Sequence, residues 1–260
     1  MVLGTANVKV YRIAAVIAAV VVGVAMFGLL AMVGGFTEQP PERAPHSVHD
    51  VGWGVMAGLF LTVAWLMQLK DPARKVALLQ LQILTAVMLV VVSGVTGELL
   101  NPFTLTIVIL VAVTAYFHPA RDRLTHLGDS FSPVLAGLSL LALVLFAKYG
   151  WDQMGLQRDA GPLDEHGEEL HYATMALVAF GVPLAGLLVS RRTAGWRQAG
   201  WLVGLGLVLL GIVSLMFDSK LGALGDAWAF AALAGGVLFL VAVEIERRGV
   251  PATAAPDPAT

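Results

Sequence analysis

Apolar residues fall into eight long runs, at 13–35, 51–69, 76–97, 103–117, 134–149, 172–189, 200–217 and 227–243, separated by short polar segments. A bilayer core needs about 20 predominantly apolar residues per helix, so the pattern predicts an all-α, polytopic membrane protein with eight transmembrane helices. The fourth and fifth runs are short. Pro102 and Ser132 with Pro133 can open helices at their first turns and draw interfacial residues into both.

Composition agrees, with 58% hydrophobic and 13% charged residues against the quarter or so expected of a soluble domain. Charge placement then orients the chain. With the N-terminus inside and the runs alternating, twelve of the sixteen Lys and Arg residues lie in inner segments, and only Arg43, Lys148, Arg158 and Lys220 lie outside. The excess of basic residues on cytoplasmic loops predicts both termini inside a plasma membrane. Most carboxylates fall outside, which makes that face acidic. Such a surface argues against nucleic acid, and the basic inner loops need only anionic lipid as a partner. The first run exceeds twenty residues with no small-residue cleavage site after it, so it reads as a retained signal anchor. The chain has no cysteine, which removes iron–sulfur clusters, disulfides and thiolate zinc sites and leaves nitrogen and oxygen as metal donors.

The non-basic loops alternate long, short, long, short. Residues 1–126 and 127–248 therefore read as two four-helix repeats in the same orientation, related by an axis along the membrane normal. The tail 249–260, rich in Ala, Pro and Thr, is expected to be disordered.

Four of the six histidines fall on the acidic side. His46, His49 and Asp50 stand at the entrance of the second helix, spaced i, i+3 and i+4, so that all three can share a face. At the matching place in the second half, Glu165, Glu168 and His171 step by three, and Glu-x-x-His is a spacing used by carboxylate-bridged metal sites. If the second and sixth helices meet at their outer ends, His49 and His171 converge. His166 precedes Gly167 and reads as a loop residue. Gly52, Gly54 and Gly58 leave room beside His49 for a flat ligand such as haem, for which His49 and His171 are the expected ligands and Gly52 a contact. The plainer alternatives are carboxylates at helix starts, which favour the helix dipole unaided, and helix packing through small residues.

This plan, with outer-side histidines opening the second and sixth helices, resembles the b-type haem membrane proteins of the haem A synthase kind. His49-Asp50-Val51-Gly52-Trp53-Gly54 is also similar to small four-helix bacterial membrane proteins in which a helix opens with histidine followed by glycine. In such families the fourth helix of each unit usually offers a second outer histidine. This chain has Leu100-Asn101-Pro102 and Gly225-Asp226-Ala227 there. The resemblance thus implies at most one shared site, with one histidine from each half, and not the haem A synthase reaction, whose cysteine pair is absent.

No charged residue or histidine lies near the middle of a run, which argues against proton pumps and retinal-type pigments. Gln80, Gln82, Thr62, Thr85, Thr106, Ser139 and Ser214 are expected to make interhelical hydrogen bonds. Pro183 is expected to kink the sixth helix. His118 and His126 are expected to be solvated or to contact headgroups, and all six tryptophans to form interfacial belts. The leading reading is an outer-face histidine and carboxylate site for haem b or a transition metal, in a redox or cofactor-handling role. A small-solute transporter or channel, and a ligand-free accessory subunit bound to other membrane subunits, are the alternatives. Catalytic turnover is not established by any motif.

Overall fold

The computed structural model describes residues 4–37, 46–128, 130–160 and 164–248, with backbone alone at 4–7, 165 and 168. Residues 38–45, in the first long outer loop, and the tail 249–260 that is expected to be disordered lie outside the described residues. The described chain is all-helical. Seven helices are long and apolar enough to cross a membrane: α1 (Val8–Gly34), α2 (Ser47–Gln68), α3 (Val76–Thr96), α5 (Pro133–Asp159), α6 (His171–Val189), α7 (Trp196–Met216) and α8 (Asp226–Arg248), with α4 (Pro102–Phe117) shorter. Asn101 caps α4, its side chain accepting from Phe103 N at 2.9 Å, and Ser132 caps α5 by accepting from Leu135 N at 3.0 Å.

Helices α2, α3, α6 and α7 are mostly buried and form the interior, whereas most of α1, α5 and α8 faces outward. The outward positions are apolar, among them Ile13, Ile17, Ile109, Val144, Leu238 and Ile245. Side chains of this kind turned out from the bundle are what a lipid-facing surface requires.

Small residues let the interior helices approach closely. Gly54 packs on Met32 and Gly58 on Gly28, joining α2 to the second half of α1. On the other side of the bundle Gly211 packs on the backbone of Ala229 and Leu233, and Gly204 faces Gly236. Helix α1 is not uniform: a π segment at Val21–Ala25 leads to a left-handed Phe27 (φ 58°), where the helix changes course. The Trp53 indole donates to the carbonyl of Met26 at 2.8 Å and satisfies a group freed by that break.

Buried polar side chains tie helices together. Gln68 of α2 donates to Gln82 of α3 at 3.0 Å, and Gln82 donates back to the carbonyl of Leu61 at 3.0 Å. Thr62, Thr85 and Ser139 instead bond to carbonyls of their own helices. Two further sequence expectations are corrected. Trp65 is fully buried and donates to Thr114 at 3.1 Å, so it is a core residue and not part of an interfacial belt. His118 is not solvated: it is 1% exposed, meeting the ring of Tyr11 edge-on at 4.8 Å.

His118 accepts from Ala120 N through Nδ1 at 3.2 Å. Burial pushes its imidazole down from 6.5 to about 4, an effect only partly offset by the carbonyl of Pro72. Unfolded chain takes up this proton near 6.5 and folded chain only near 4. Between those values the unfolded state binds more protons, so this contribution to stability is whole above pH 6.5 and declines as pH falls toward 4. Thermal unfolding across that window should show the decline, and His118→Gln, which keeps an acceptor for Ala120 without titrating, should reduce it.

A largely buried ion pair helps to pin the basic end. Glu246 of α8 pairs with Arg192, just beyond α6, and accepts from the Ser132 hydroxyl at 2.6 Å, with both charged side chains largely buried. Removing the negative charge strands a buried guanidinium, and breaking such a pair costs about 3–5 kcal/mol when burial is deep. Glu246→Gln is therefore expected to lower the unfolding midpoint in detergent markedly, whereas Lys148→Gln, which breaks an exposed pair with Asp152, should leave it within about 0.5 kcal/mol.

Candidate metal centre

Three chain segments meet where α2 and α6 begin. The first is the entry to α2, where His46 precedes Ser47 and His49 follows one turn in. The second is the short helix Glu165–Glu168, which carries His166. The third is the start of α6 at His171. All four histidines of this end are brought together.

The helix α5 makes this possible by running ten residues beyond the apolar stretch from which its end was expected at residue 149. The extension is amphipathic: Gly150, Gln153, Met154 and Gln157 face inward, while Trp151, Asp152 and Leu156 face outward. Gln157 then clamps the histidine segment, donating to the carbonyl of Gly167 at 2.8 Å and accepting from Ala173 N at 3.0 Å. The expected long loop between the fifth and sixth helices is thus largely helical.

The chain reverses at Leu170, which adopts a left-handed conformation (φ 59°) immediately before α6. Glu165 and Glu168 therefore do not continue the helix that carries His171, and the expectation of a single Glu-x-x-His face is corrected. The side chains of Glu165 and Glu168 lie outside the described residues. The separate short helix turns His166 into the cluster, against the rings of His46 and His49.

The rings pack in two stacked pairs. His46 and His166 are nearly parallel (3°) with centroids 4.6 Å apart, and His49 and His171 lie at 12° and 4.9 Å. Across the pairs, His46 Nδ1 and His171 Nδ1 are 3.1 Å apart. One ring nitrogen from each of His46, His166 and His171 lies within 4.8 Å of the others. His46, His49 and His171 are buried, and His166 is partly so.

Carboxylates stand behind two of the rings. Glu169 Oε2 is 3.2 Å from His171 Nε2, so Nδ1 is the nitrogen turned to the cluster. Asp164 Oδ1 lies 3.7 Å from His166 Nδ1 and accepts from the backbone N–H of His166 at 2.9 Å, while His166 Nε2 is buried with no hydrogen-bond partner among the described residues. A carboxylate on the far nitrogen of an imidazole orients the ring and raises its basicity toward a metal. Asp50 sits in the first turn of α2 and is partly buried.

The glycine beside His49 does not leave a slot for a flat ligand. A Cβ at Gly52 would stand 2.6 Å from Met175 Sδ, so that space is filled from α6. Nor do the rings have an axial arrangement, in which two imidazoles point nitrogen-first at an iron from opposite faces of a macrocycle. Gly52 is a packing position, and the expected haem contact there is not supported by the geometry. His166, expected in the loop, belongs to the cluster instead; its signal in the sequence is its membership of the group of four histidines on one side.

Comparison with protein-family models, with curated proteins and with solved structures yields no match.

Proposed function

We propose that this chain is an integral protein of the cell membrane that binds a transition-metal ion at its extracytoplasmic end and handles that ion there. The convergence of ring nitrogens from His46, His166 and His171 carries the reading. The donor chemistry supports it: imidazoles backed by carboxylates suit zinc, copper, nickel or iron, and no thiolate competes. His46, His166 and His171 would hold the ion, Glu169 and Asp164 would orient two of them, and Asp50 stands near enough in sequence to add an oxygen. When bound, such an ion supplies Lewis acidity or, for copper and iron, a redox couple.

Orientation rests on the distribution of Lys and Arg, which puts the histidine end outside and both termini in the cytoplasm. The interior set α2, α3, α6 and α7 takes the second and third helices of each half, which supports a parallel duplication of residues 1–126 and 127–248. The competing solute-channel reading has less to stand on. Pro183 borders a cleft of about 210 Å³, but its lining is apolar apart from Ser139, whose hydroxyl donates to the carbonyl of Leu135.

The test is metal analysis and an absorption spectrum on the full chain purified in detergent, before and after loading with Zn(II) or Cu(II). About one ion per chain, bound without a Soret band, is expected. A chain that retains no metal after loading overturns the proposal, and a Soret band lost in His49→Ala or His171→Ala would replace it with a haem site.

A further inference from the structure

Beneath the three-histidine group, toward the middle of the bundle, the seam between α2 and α6 carries a second set of donors. His49 is fully buried, and neither of its ring nitrogens has a hydrogen-bond partner among the described residues. Its environment is tight: it stacks on His171, and Gly222, from the turn between α7 and α8, is seated against its Nε2, 2.6 Å from where a Cβ would be. Tyr149 holds that turn in place by donating to the Gly222 carbonyl at 2.5 Å. Burying an imidazole with both nitrogens unsatisfied is costly, and a native site that does so needs a reason.

Sulfur follows directly inward. Met175 lies four residues beyond His171 on the same face of α6, and its Sδ fills the notch at Gly52, three residues beyond His49 on α2. One turn further, Met56 of α2 reaches across to α6, its Cε 2.8 Å and its Sδ 3.9 Å from the Cβ position of Gly181. Met175 is fully buried and Met56 is 1% exposed. Two thioethers therefore descend the seam that the imidazoles open. Leucine would fill these volumes equally well; what methionine adds is a soft, polarisable donor. Thioether and imidazole together select Cu(I), whereas Zn(II) gains little from thioether sulfur.

We propose that the ion handled at this end is Cu(I), and that His49 and Met175 form a second, softer station immediately inside the three-histidine group, with Met56 one turn deeper. This rests on the metal reading above and specifies its ion. The copper is taken up already reduced, so no electron transfer is involved.

The test loads the full chain in detergent with Cu(I) under anaerobic conditions, measures retention against a chromophoric Cu(I) chelator, and records the copper X-ray absorption spectrum. Wild type should show sulfur in the copper shell. Met175→Leu, which conserves volume, should lose the sulfur signal and weaken Cu(I) retention by about tenfold or more while leaving Zn(II) retention unchanged. His49→Phe, which keeps the stack on His171 but removes the nitrogens, should likewise weaken Cu(I) retention. A wild-type copper shell of nitrogen and oxygen alone, or Cu(I) retention unchanged in Met175→Leu, overturns the copper station and leaves the outer metal site standing. A wild-type chain that binds neither Zn(II) nor Cu(I) overturns the outer site as well.

Discussion

Replacing His171 with alanine is expected to abolish metal retention, with an affinity loss on the order of a hundredfold or more, because removal of a second-shell partner alone typically costs about 10- to 100-fold. No other ring is as central: His171 faces His46 at 3.1 Å, stacks on His49 and is held from behind by Glu169. Equilibrium dialysis with Zn(II) measures the loss. A second readout is thermal, since an ion that binds the folded state adds about 2.7 kcal/mol when present at 100 times its dissociation constant. Wild type should therefore gain stability on metal addition, and His171→Ala should not. Glu169→Gln is the graded control. It keeps the side chain's reach but removes the charge behind the ring, so a reduction of about tenfold is expected. Equal metal retention by wild type and His171→Ala would place the ion elsewhere.

The second large effect concerns the crossing of α1 and α2. An alanine at Gly54 would place its Cβ 2.3 Å from Met32 Cβ, 2.7 Å from its Cα and 2.9 Å from its N. Two of those atoms are backbone and cannot rotate away, so the helices must separate. Overpacking of this sort costs about 1–3 kcal/mol, and Gly54→Ala should lower the unfolding midpoint accordingly. Gly94 of α3 is the counterpart, with no atom within 4 Å of its Cβ position. Gly94→Ala should be neutral or stabilising by up to about 1 kcal/mol through helix propensity. The same substitution, read by the same melt, should thus change sign between two helices.

The seven long apolar helices were legible because apolar length is a one-dimensional property: a helix that crosses a bilayer must fill it from its own residues. The histidines at the starts of α2 and α6 were legible for a similar reason, since helical spacing puts His46 and His49 near one face before any tertiary contact is known. What the chain does between helices was harder to see. Leu170 adopts a left-handed backbone without glycine's help, so nothing in the sequence announced the reversal that separates Glu165 and Glu168 from the face of His171 and admits His166. The continuation of α5 to Asp159 was hidden because its inward residues include Gln153 and Gln157, whose burial is tolerable only with partners that other segments supply. A pattern did exist there, in Gly150, Gln153, Met154 and Gln157 at helical spacing, but only for a reader who counts glutamine as an interior residue. The glycines of α2 were open to two readings. Whether a notch receives a ligand or a neighbouring side chain depends on the partner helix, and Met175 and Met32 fill theirs.

The overhang of α5 gives the histidine cluster a property that neither donor-bearing helix could provide. Gln157 grips the chain on both sides of the reversal at Leu170, so the separation between His166 and His171 is fixed by a strut that contributes no donor of its own. In the proposed site, the identity of the ligands and the distance between them would thus be entrusted to different parts of the protein, and removing the Gln157 amide would loosen the spacing of the two rings while every donor atom stayed the same.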